Sequence, residues 1–184
     1  MNVRFSGVQR VLHWLMAVMV LTMLFVGVGM VSTVAPRYWT LVSIHRPLGI
    51  AILVLVLVRI AVRLGYGAPP LPGDLPRWQA FAARASHVLL YALMVVMPLL
   101  GWSMLSAGGY PIVLYGPVHL PPIVPRDGML HAVLFQAHAV LAYVFFLTIL
   151  LHLGAALLHA WVRRDEVFAS MAPWGARRVV VTKM

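Results

Sequence analysis

The sequence predicts an all-α membrane protein, a transmembrane four-helix bundle in a lipid bilayer. Of its 184 residues, 62% are hydrophobic and 10% are charged, and the mean hydropathy is +0.94. A soluble domain carries about 25% charged residues, so too few charges remain here to cover a water-facing surface. Four apolar segments, each long enough to cross a hydrocarbon core of about 30 Å, make up most of the chain.

Each predicted membrane helix is at least about 20 residues long and mostly apolar. The predicted ranges are 11–31, 42–62, 86–105 and 129–162. The first is longer than the core of a signal peptide, which spans about 7–15 residues, so we expect it to remain as a helix. Proline and glycine interrupt the segments 65–84 and 106–128, which are predicted loops. Residues 1–184 are expected to form a single membrane domain.

The basic residues predict the orientation of the chain in the membrane. The net charge is +10, but the Lys and Arg residues flank the apolar segments instead of forming one stripe, so we expect no nucleic-acid partner. The side that holds both termini carries eleven of them: Arg4, Arg10, Arg59, Arg63, Arg77, Arg84, Arg163, Arg164, Arg177, Arg178 and Lys183. The opposite side carries three: Arg37, Arg46 and Arg126. The positive-inside rule therefore predicts that both termini are cytoplasmic.

Histidine is the main candidate metal ligand in this sequence. There is no cysteine, which excludes disulfides, iron–sulfur clusters, thiolate zinc sites and covalently attached c-type haem. Eight histidines stand beside only four acidic residues. An ionisable side chain inside a membrane helix is a functional hypothesis by default.

Four histidines lie on one stripe of the last predicted helix. His131, His138, His152 and His159 are separated by 7, 14 and 7 residues. At about 100° per residue, each of these steps returns close to the starting face of the helix. The step from His138 to His152 spans about 21 Å at a rise of about 1.5 Å per residue, which fits two sites stacked across one membrane.

Histidines on other helices lie at matching depths. His45 shares the outer level with His138, and His13 shares the inner level with His152. Each pair can present two imidazoles to one metal ion. Zinc takes three or four protein ligands, often with carboxylates, whereas a b-type haem needs two axial ligands and suits electron transfer when both are imidazoles. The sequence therefore predicts two b haems that form an electron path across the bilayer.

The inner pair has alternatives. His87 and His159 also lie toward the cytoplasmic end, and either could replace His13 or His152 as a ligand. We favour His152, because a ligand at His159 would separate the two irons by about 31 Å along the helix, and electron tunnelling falls steeply with distance.

These residues resemble the bacterial cytochrome b561 family, in particular its small four-helix di-haem members that act as superoxide:ubiquinone oxidoreductases. The resemblance covers nearly the whole chain. The matching stretches are Gln9-Arg-Val-Leu-His13-Trp14, Ser43-Ile-His45 with Gly49 and Val58-Arg59, Ser86-His87, His138, and His152 with His159. The resemblance implies a bacterial inner-membrane location and haem iron ligation by His13, His45, His138 and His152.

The resemblance also implies an activity. Superoxide would donate electrons at the outer haem and ubiquinone would accept them near the inner one, with no protein partner required. The outer side carries Arg37, Arg46, Arg126 and His119 against one acid, Asp127, and such a positive mouth would attract an anion.

Two histidines toward the cytoplasmic end are not assigned to a haem. Quinone reduction needs protons, and histidine titrates near neutral pH, so His87 and His159 are the candidates for the quinone site.

Similar four-helix subunits anchor hydrogenases and formate dehydrogenases. The second hypothesis is therefore a cytochrome b subunit that anchors a dehydrogenase or hydrogenase and passes its electrons to quinone.

Overall fold

The computed structural model describes residues 4–172 and confirms the predicted all-α membrane bundle. Within this range the long helices are α1 (Gly7–Val31), α2 (Arg37–Tyr66), α3 (Arg77–Gly108) and α4 (Gly128–Leu157). Each is long and apolar enough to cross a membrane. Arg177, Arg178 and Lys183, which enter the orientation argument, lie outside the described residues.

α1, α2 and α3 begin before the apolar segments expected from sequence, and the starts of α1 and α4 are fixed by polar side-chain caps. α1 begins after Ser6, whose hydroxyl accepts from the backbone of Gln9 while the Gln9 side chain accepts from the backbone of Ser6. This reciprocal cap satisfies two N–H groups that have no partner in the first turn. Asp127 caps α4 by accepting from the N–H of Leu130 at 2.9 Å.

A small apolar core occupies the centre of the bundle, and every long helix contributes one buried residue to it. These residues are Val20, Ile52, Leu93 and Phe145. α1 packs against α2, α2 against α3, and α3 against α4. Many other apolar side chains are exposed on the outside of the bundle, where the hydrocarbon of a bilayer is the solvent.

The end of the bundle with the α1–α2 and α3–α4 connections is called the outer end here, and the opposite end the inner end. At the outer end, the segment expected to be a loop holds a short antiparallel hairpin, β1 (Ile112–Tyr115) and β2 (Val118–Leu120). Gly116 turns the chain with a φ of 51°, which glycine adopts readily. Strands of 4 and 3 residues are too short to show a clear alternating pattern in the sequence.

The hairpin segment is fastened to the outer ends of α2 and α3. The indole Nε1 of Trp102 donates to the carbonyl of Pro121 at 2.9 Å, and the guanidinium of Arg46 donates to the carbonyl of Pro111 at 3.2 Å. These side-chain bonds satisfy backbone carbonyls that have no strand partner. The hairpin therefore has a defined position over the outer end.

The inner end is closed by a second short element. α4 continues into a π-helical turn, Leu158–Arg163, which is followed by α5 (Glu166–Met171). The carbonyls at the end of a helix have no partner within it, and here the indole Nε1 of Trp14 donates to that of Met171 at 2.9 Å. This bond joins α5 to the start of α1.

Candidate functional site

The outer candidate site is a pair of imidazoles on facing helices. His45 on α2 and His138 on α4 have ring centroids 6.2 Å apart and ring planes inclined at 63°. Nδ1 of His45 is buried and has no hydrogen-bond partner among residues 4–172. Nδ1 of His138 is also buried and makes no hydrogen bond of normal length and angle in that range, although the Met97 carbonyl interacts with it. Buried polar atoms are nearly always paired, so this pair is suited to a partner other than the protein.

The inner candidate site is a cluster of three imidazoles. The ring of His152 on α4 lies 6.3 Å from that of His13 on α1, with the planes at 72°. On the other side, the ring of His87 on α3 lies 5.4 Å from that of His152, with the planes at 67°. The residue considered for the quinone from sequence, His87, is therefore a direct neighbour of the inner pair.

Two of these contacts have the spacing that a metal between imidazoles requires. Bonds from a metal to imidazole nitrogen are about 2.0–2.1 Å long, so an ion between two facing rings separates their centroids by about 6 Å. The outer pair at 6.2 Å and the contact between His13 and His152 at 6.3 Å meet this requirement. The contact between His87 and His152, at 5.4 Å, is shorter. Two imidazoles facing each other inside an apolar bundle fit the axial ligands of a b-type haem.

Arg59 and Tyr91 border the inner cluster, and neither was predicted from sequence as a site residue. Arg59 donates from Nη1 to Nδ1 of His13 at 3.0 Å and from Nε to the hydroxyl of Tyr91 at 3.0 Å. The guanidinium groups of Arg59 and Arg63 lie 5.6 and 5.9 Å from the centre of the Tyr91 ring. A signal was present, because Tyr91 follows His87 by four residues and so shares its helix face.

Comparison with known proteins identifies the family of this chain. The sequence pattern of the prokaryotic cytochrome b561 family matches residues 4–174. The chain belongs to this family. The chain is 28% identical to cytochrome b561 homolog 1 of Escherichia coli strain K12, over 92% of this chain and 97% of that protein. It is 30% identical to the probable superoxide oxidase CybB of Yersinia pestis, over 94% of this chain and 98% of that protein.

A third relative gives the same picture. Cytochrome b561 homolog 2 of Escherichia coli strain K12 is 27% identical, over 91% of this chain and 90% of that protein. The family resemblance stated from the ordered histidines is thereby confirmed. As a cytochrome b561, the chain is a multi-pass membrane protein that binds haem b and transfers electrons.

The structure of this cytochrome b561 keeps His159 apart from the three-histidine cluster. Nδ1 of His159 lies 2.6 Å from Oδ2 of Asp165, and Arg163 donates from Nε to the same oxygen at 3.1 Å. Asp165 and Arg163 both belong to the connection between α4 and α5. His159 was a candidate from sequence, but its pairing with Asp165 could not be predicted, since the intervening π-helical turn has no evident sequence signal.

The basic residues expected at the outer mouth of the cytochrome are placed by the hairpin segment and its neighbours. Arg46 is bonded to that segment through Pro111. A Cβ on Gly109, which has a φ of 70°, would lie 2.6 Å from Nε of Arg126, so the guanidinium packs against bare backbone. His131 donates from Nδ1 to the carbonyl of Met104 at 2.9 Å, a contact between α4 and α3.

Proposed function

We propose that this cytochrome b561 is a di-haem oxidoreductase that takes electrons from superoxide at its outer end and passes them to ubiquinone near its inner end. The observation that carries the proposal is the presence of two imidazole pairs with metal-compatible spacing at opposite ends of one bundle. The relative described as a probable superoxide oxidase, at 30% identity over nearly its whole length, supports the choice of substrate.

In this proposal, His45 and His138 hold the outer haem, and His13 and His152 hold the inner one. Haem held by two imidazoles would supply reversible one-electron transfer and would leave no iron position for O₂. The 14 residues between the two ligands on α4 correspond to about 21 Å of helix. Phe145, a buried core residue, lies midway between them on the same face, so a part of the apolar core separates the two sites.

The chain's own part at the outer end is to attract and admit a small anion. Arg46 and Arg126 lie at the hairpin segment, and Arg37 begins α2 at the same end. Asp127 is used in capping α4. A cluster of one sign of charge raises the local concentration and the association rate of an oppositely charged substrate. Superoxide carries one negative charge, which suits this mouth.

The chain's part at the inner end is to bind the quinone and supply protons. Two superoxide ions, one ubiquinone and two protons give two molecules of O₂ and one ubiquinol, so two protons must arrive with the two electrons. We assign the quinone site to the inner end, with His87 beside the inner pair and His159 farther along α4. An imidazole ring can both donate and accept a proton.

We propose that both termini face the cytoplasm of a bacterial inner membrane. The charge asymmetry is present even among the described residues, where eight Arg residues lie at the inner end and three at the outer end. Because basic residues are retained on the cytoplasmic side, the outer end faces the periplasm. This arrangement delivers periplasmic superoxide to the positive mouth.

Stopped-flow mixing of the purified haem-loaded protein with superoxide tests the proposal. The absorbance of reduced haem should appear without any partner protein and should disappear when ubiquinone is added. Failure of superoxide to produce that absorbance, or its appearance only after a dehydrogenase or hydrogenase is supplied, would favour the alternative of an anchoring cytochrome b subunit. A ratio near one haem per chain would contradict the di-haem assignment.

A further inference from the structure

His159 is held by a carboxylate at the inner end, outside the two proposed haem sites. Its Nδ1 lies 2.6 Å from Oδ2 of Asp165, and because a carboxylate oxygen accepts, the imidazole donates from Nδ1. The two side chains are 14% and 20% exposed. The bond occupies Nδ1 and leaves Nε2 as the ring nitrogen that can exchange a proton with another molecule.

Asp165 keeps its negative charge next to this imidazole. Burial raises the pKa of the Asp165 carboxyl, but hydrogen bonds from His159, from the backbone N–H of Val167 and from Arg163 outweigh that effect and hold the pKa below its usual range. A carboxylate on Nδ1 fixes which nitrogen carries the proton and stabilises the ring when Nε2 is also protonated. The contact is therefore suited to repeated protonation and deprotonation of Nε2.

The backbone between the two residues is arranged to bring them together. The π-helical turn Leu158–Arg163 ends at Arg164, whose φ of 54° is a left-handed conformation that costs a non-glycine residue backbone energy. π-helical turns in proteins occur frequently at functional sites. After this reversal, Asp165 caps α5 by accepting from Val167 through Oδ1 at 3.1 Å, which leaves Oδ2 for the imidazole.

The other charges around the pair connect it with the inner surface. Arg163 donates from Nε to Oδ2 of Asp165 at 3.1 Å and from Nη2 to Oδ2 of Asp74 at 2.6 Å. Asp74, in the α2–α3 connection, is 73% exposed. Arg164 and Glu166 are the remaining charged residues between α4 and the first turn of α5. From the start of the chain, Arg4 and Arg10 donate to the carbonyls of Ala169 and Ala172 at 3.3 and 3.1 Å. Through Arg163, the half-buried pair of His159 and Asp165 is thus connected to an exposed carboxylate at the inner surface.

We propose that Asp165 is a positioning residue that holds His159 as the proton donor to ubiquinone, an inference that rests on the proposed function. As the quinone takes two electrons, His159 gives the proton on Nε2 to a quinone oxygen, which forms an O–H bond. The neutral ring then regains a proton from water at the inner end. Asp165 remains a carboxylate throughout, so the pair carries one proton per transfer and returns to its starting state.

The test follows the second half of the reaction alone. Purified full-length protein is reduced with dithionite and mixed with a short-chain ubiquinone, and the loss of reduced-haem absorbance is recorded across pH. Asp165→Asn retains an N-cap for α5 but removes the charge. We expect reoxidation to slow by at least about tenfold near neutral pH. Asp165→Glu, which keeps a carboxylate at this position, should restore most of the rate.

Three comparisons make the result specific. His159→Gln should be slow at every pH, and adding Asp165→Asn to it should have no further effect, because the two residues act as one unit. Asp74→Asn, which breaks the exposed ion pair and leaves the contact to His159, should reoxidise normally. Reduction by superoxide should be unchanged in Asp74→Asn, which lies outside the proposed quinone site.

Each outcome distinguishes the inference from the function on which it rests. Equal reoxidation rates for Asp165→Asn and the unchanged protein at every pH would overturn the role of Asp165. If ubiquinone fails to reoxidise the unchanged protein, the proposed function itself is wrong. Should the Asn variant lose its haem spectrum, Asp165→Ser, which also caps a helix without charge, is measured against the same two criteria.

Discussion

Arg59 donates a hydrogen bond from Nη1 to Nδ1 of His13 at 3.0 Å, across the interface of α2 and α1. A guanidinium has no acceptor and stays charged, so Nδ1 of His13 accepts and Nε2 is the nitrogen left for a metal. A second bond to the hydroxyl of Tyr91 at 3.0 Å fixes the arginine. A permanent positive charge therefore touches a proposed axial ligand of the inner haem.

Replacing Arg59 should lower the reduction potential of the inner haem. In Arg59→Gln the positive charge is lost and the hydrogen bond to His13 is weakened, and both changes favour the oxidised iron. Spectroelectrochemical titration should show one haem shifted to lower potential and the other unchanged. Arg63→Gln is the matched control, since Arg63 contacts the Tyr91 ring and makes no hydrogen bond to a histidine within residues 4–172. A larger shift in the control would contradict the assignment.

Removing one outer ligand should remove one haem. His138→Ala deletes half of the outer pair and leaves His13 and His152 in place, so the haem content of the purified protein should fall from two toward one per chain. Pyridine haemochrome analysis measures this ratio. His131 lies on the same stripe of α4, but its side chain is bonded to the Met104 carbonyl, so His131→Ala should keep two haems. Loss of haem from this variant would contradict the assignment of the outer haem to the pair of His45 and His138.

Two variants can decide whether His13 or His87 is the partner of His152 at the proposed inner haem. His13→Ala should abolish the inner low-spin haem spectrum, because its ring lies 6.3 Å from that of His152, the spacing of two axial imidazoles. His87→Ala should retain both haems and lose instead the rate of reoxidation by ubiquinone. The reverse result, with the spectrum lost in the His87 variant and kept in the His13 variant, would exchange their roles.

Charge should govern the encounter with superoxide. Arg37, Arg46 and Arg126 changed together to Gln should reduce the rate of haem reduction by superoxide while the haem spectra stay the same. Raising the salt concentration should slow the unchanged protein as well, because exposed charges are screened beyond about 8 Å at physiological ionic strength. A rate that is independent of salt in both proteins would rule out electrostatic steering.

The orientation can be checked from the chain end. An alkaline phosphatase fused after Met184 should be inactive and a green fluorescent protein in the same place should fluoresce, because the inner end is expected in the cytoplasm. The same reporters placed in the hairpin turn at Gly116 should give the opposite pattern. Phosphatase activity at the C-terminal fusion would reverse the proposed topology.

The sequence by itself determined the four membrane helices and the family. A bilayer demands long apolar stretches with their backbone hydrogen bonds satisfied internally, and this demand is local, so hydropathy along the chain reports it. The helical repeat is also local, and it was enough to place His138 and His152 on one stripe of α4. Matching depths then selected His45 and His13 as their partners, a selection that the haem-content experiments above will test.

Only the tertiary structure decided which polar groups meet between and beyond the helices. The contact of Arg59 with His13 spans 46 residues of sequence, and the position of His87 beside His152 depends on how α3 packs against α4. The pairing of His159 with Asp165 depends on a π-helical turn and one left-handed residue. Hydropathy and helical period carry no information on such contacts, because they arise from packing angles and local backbone reversals that depend on the whole bundle.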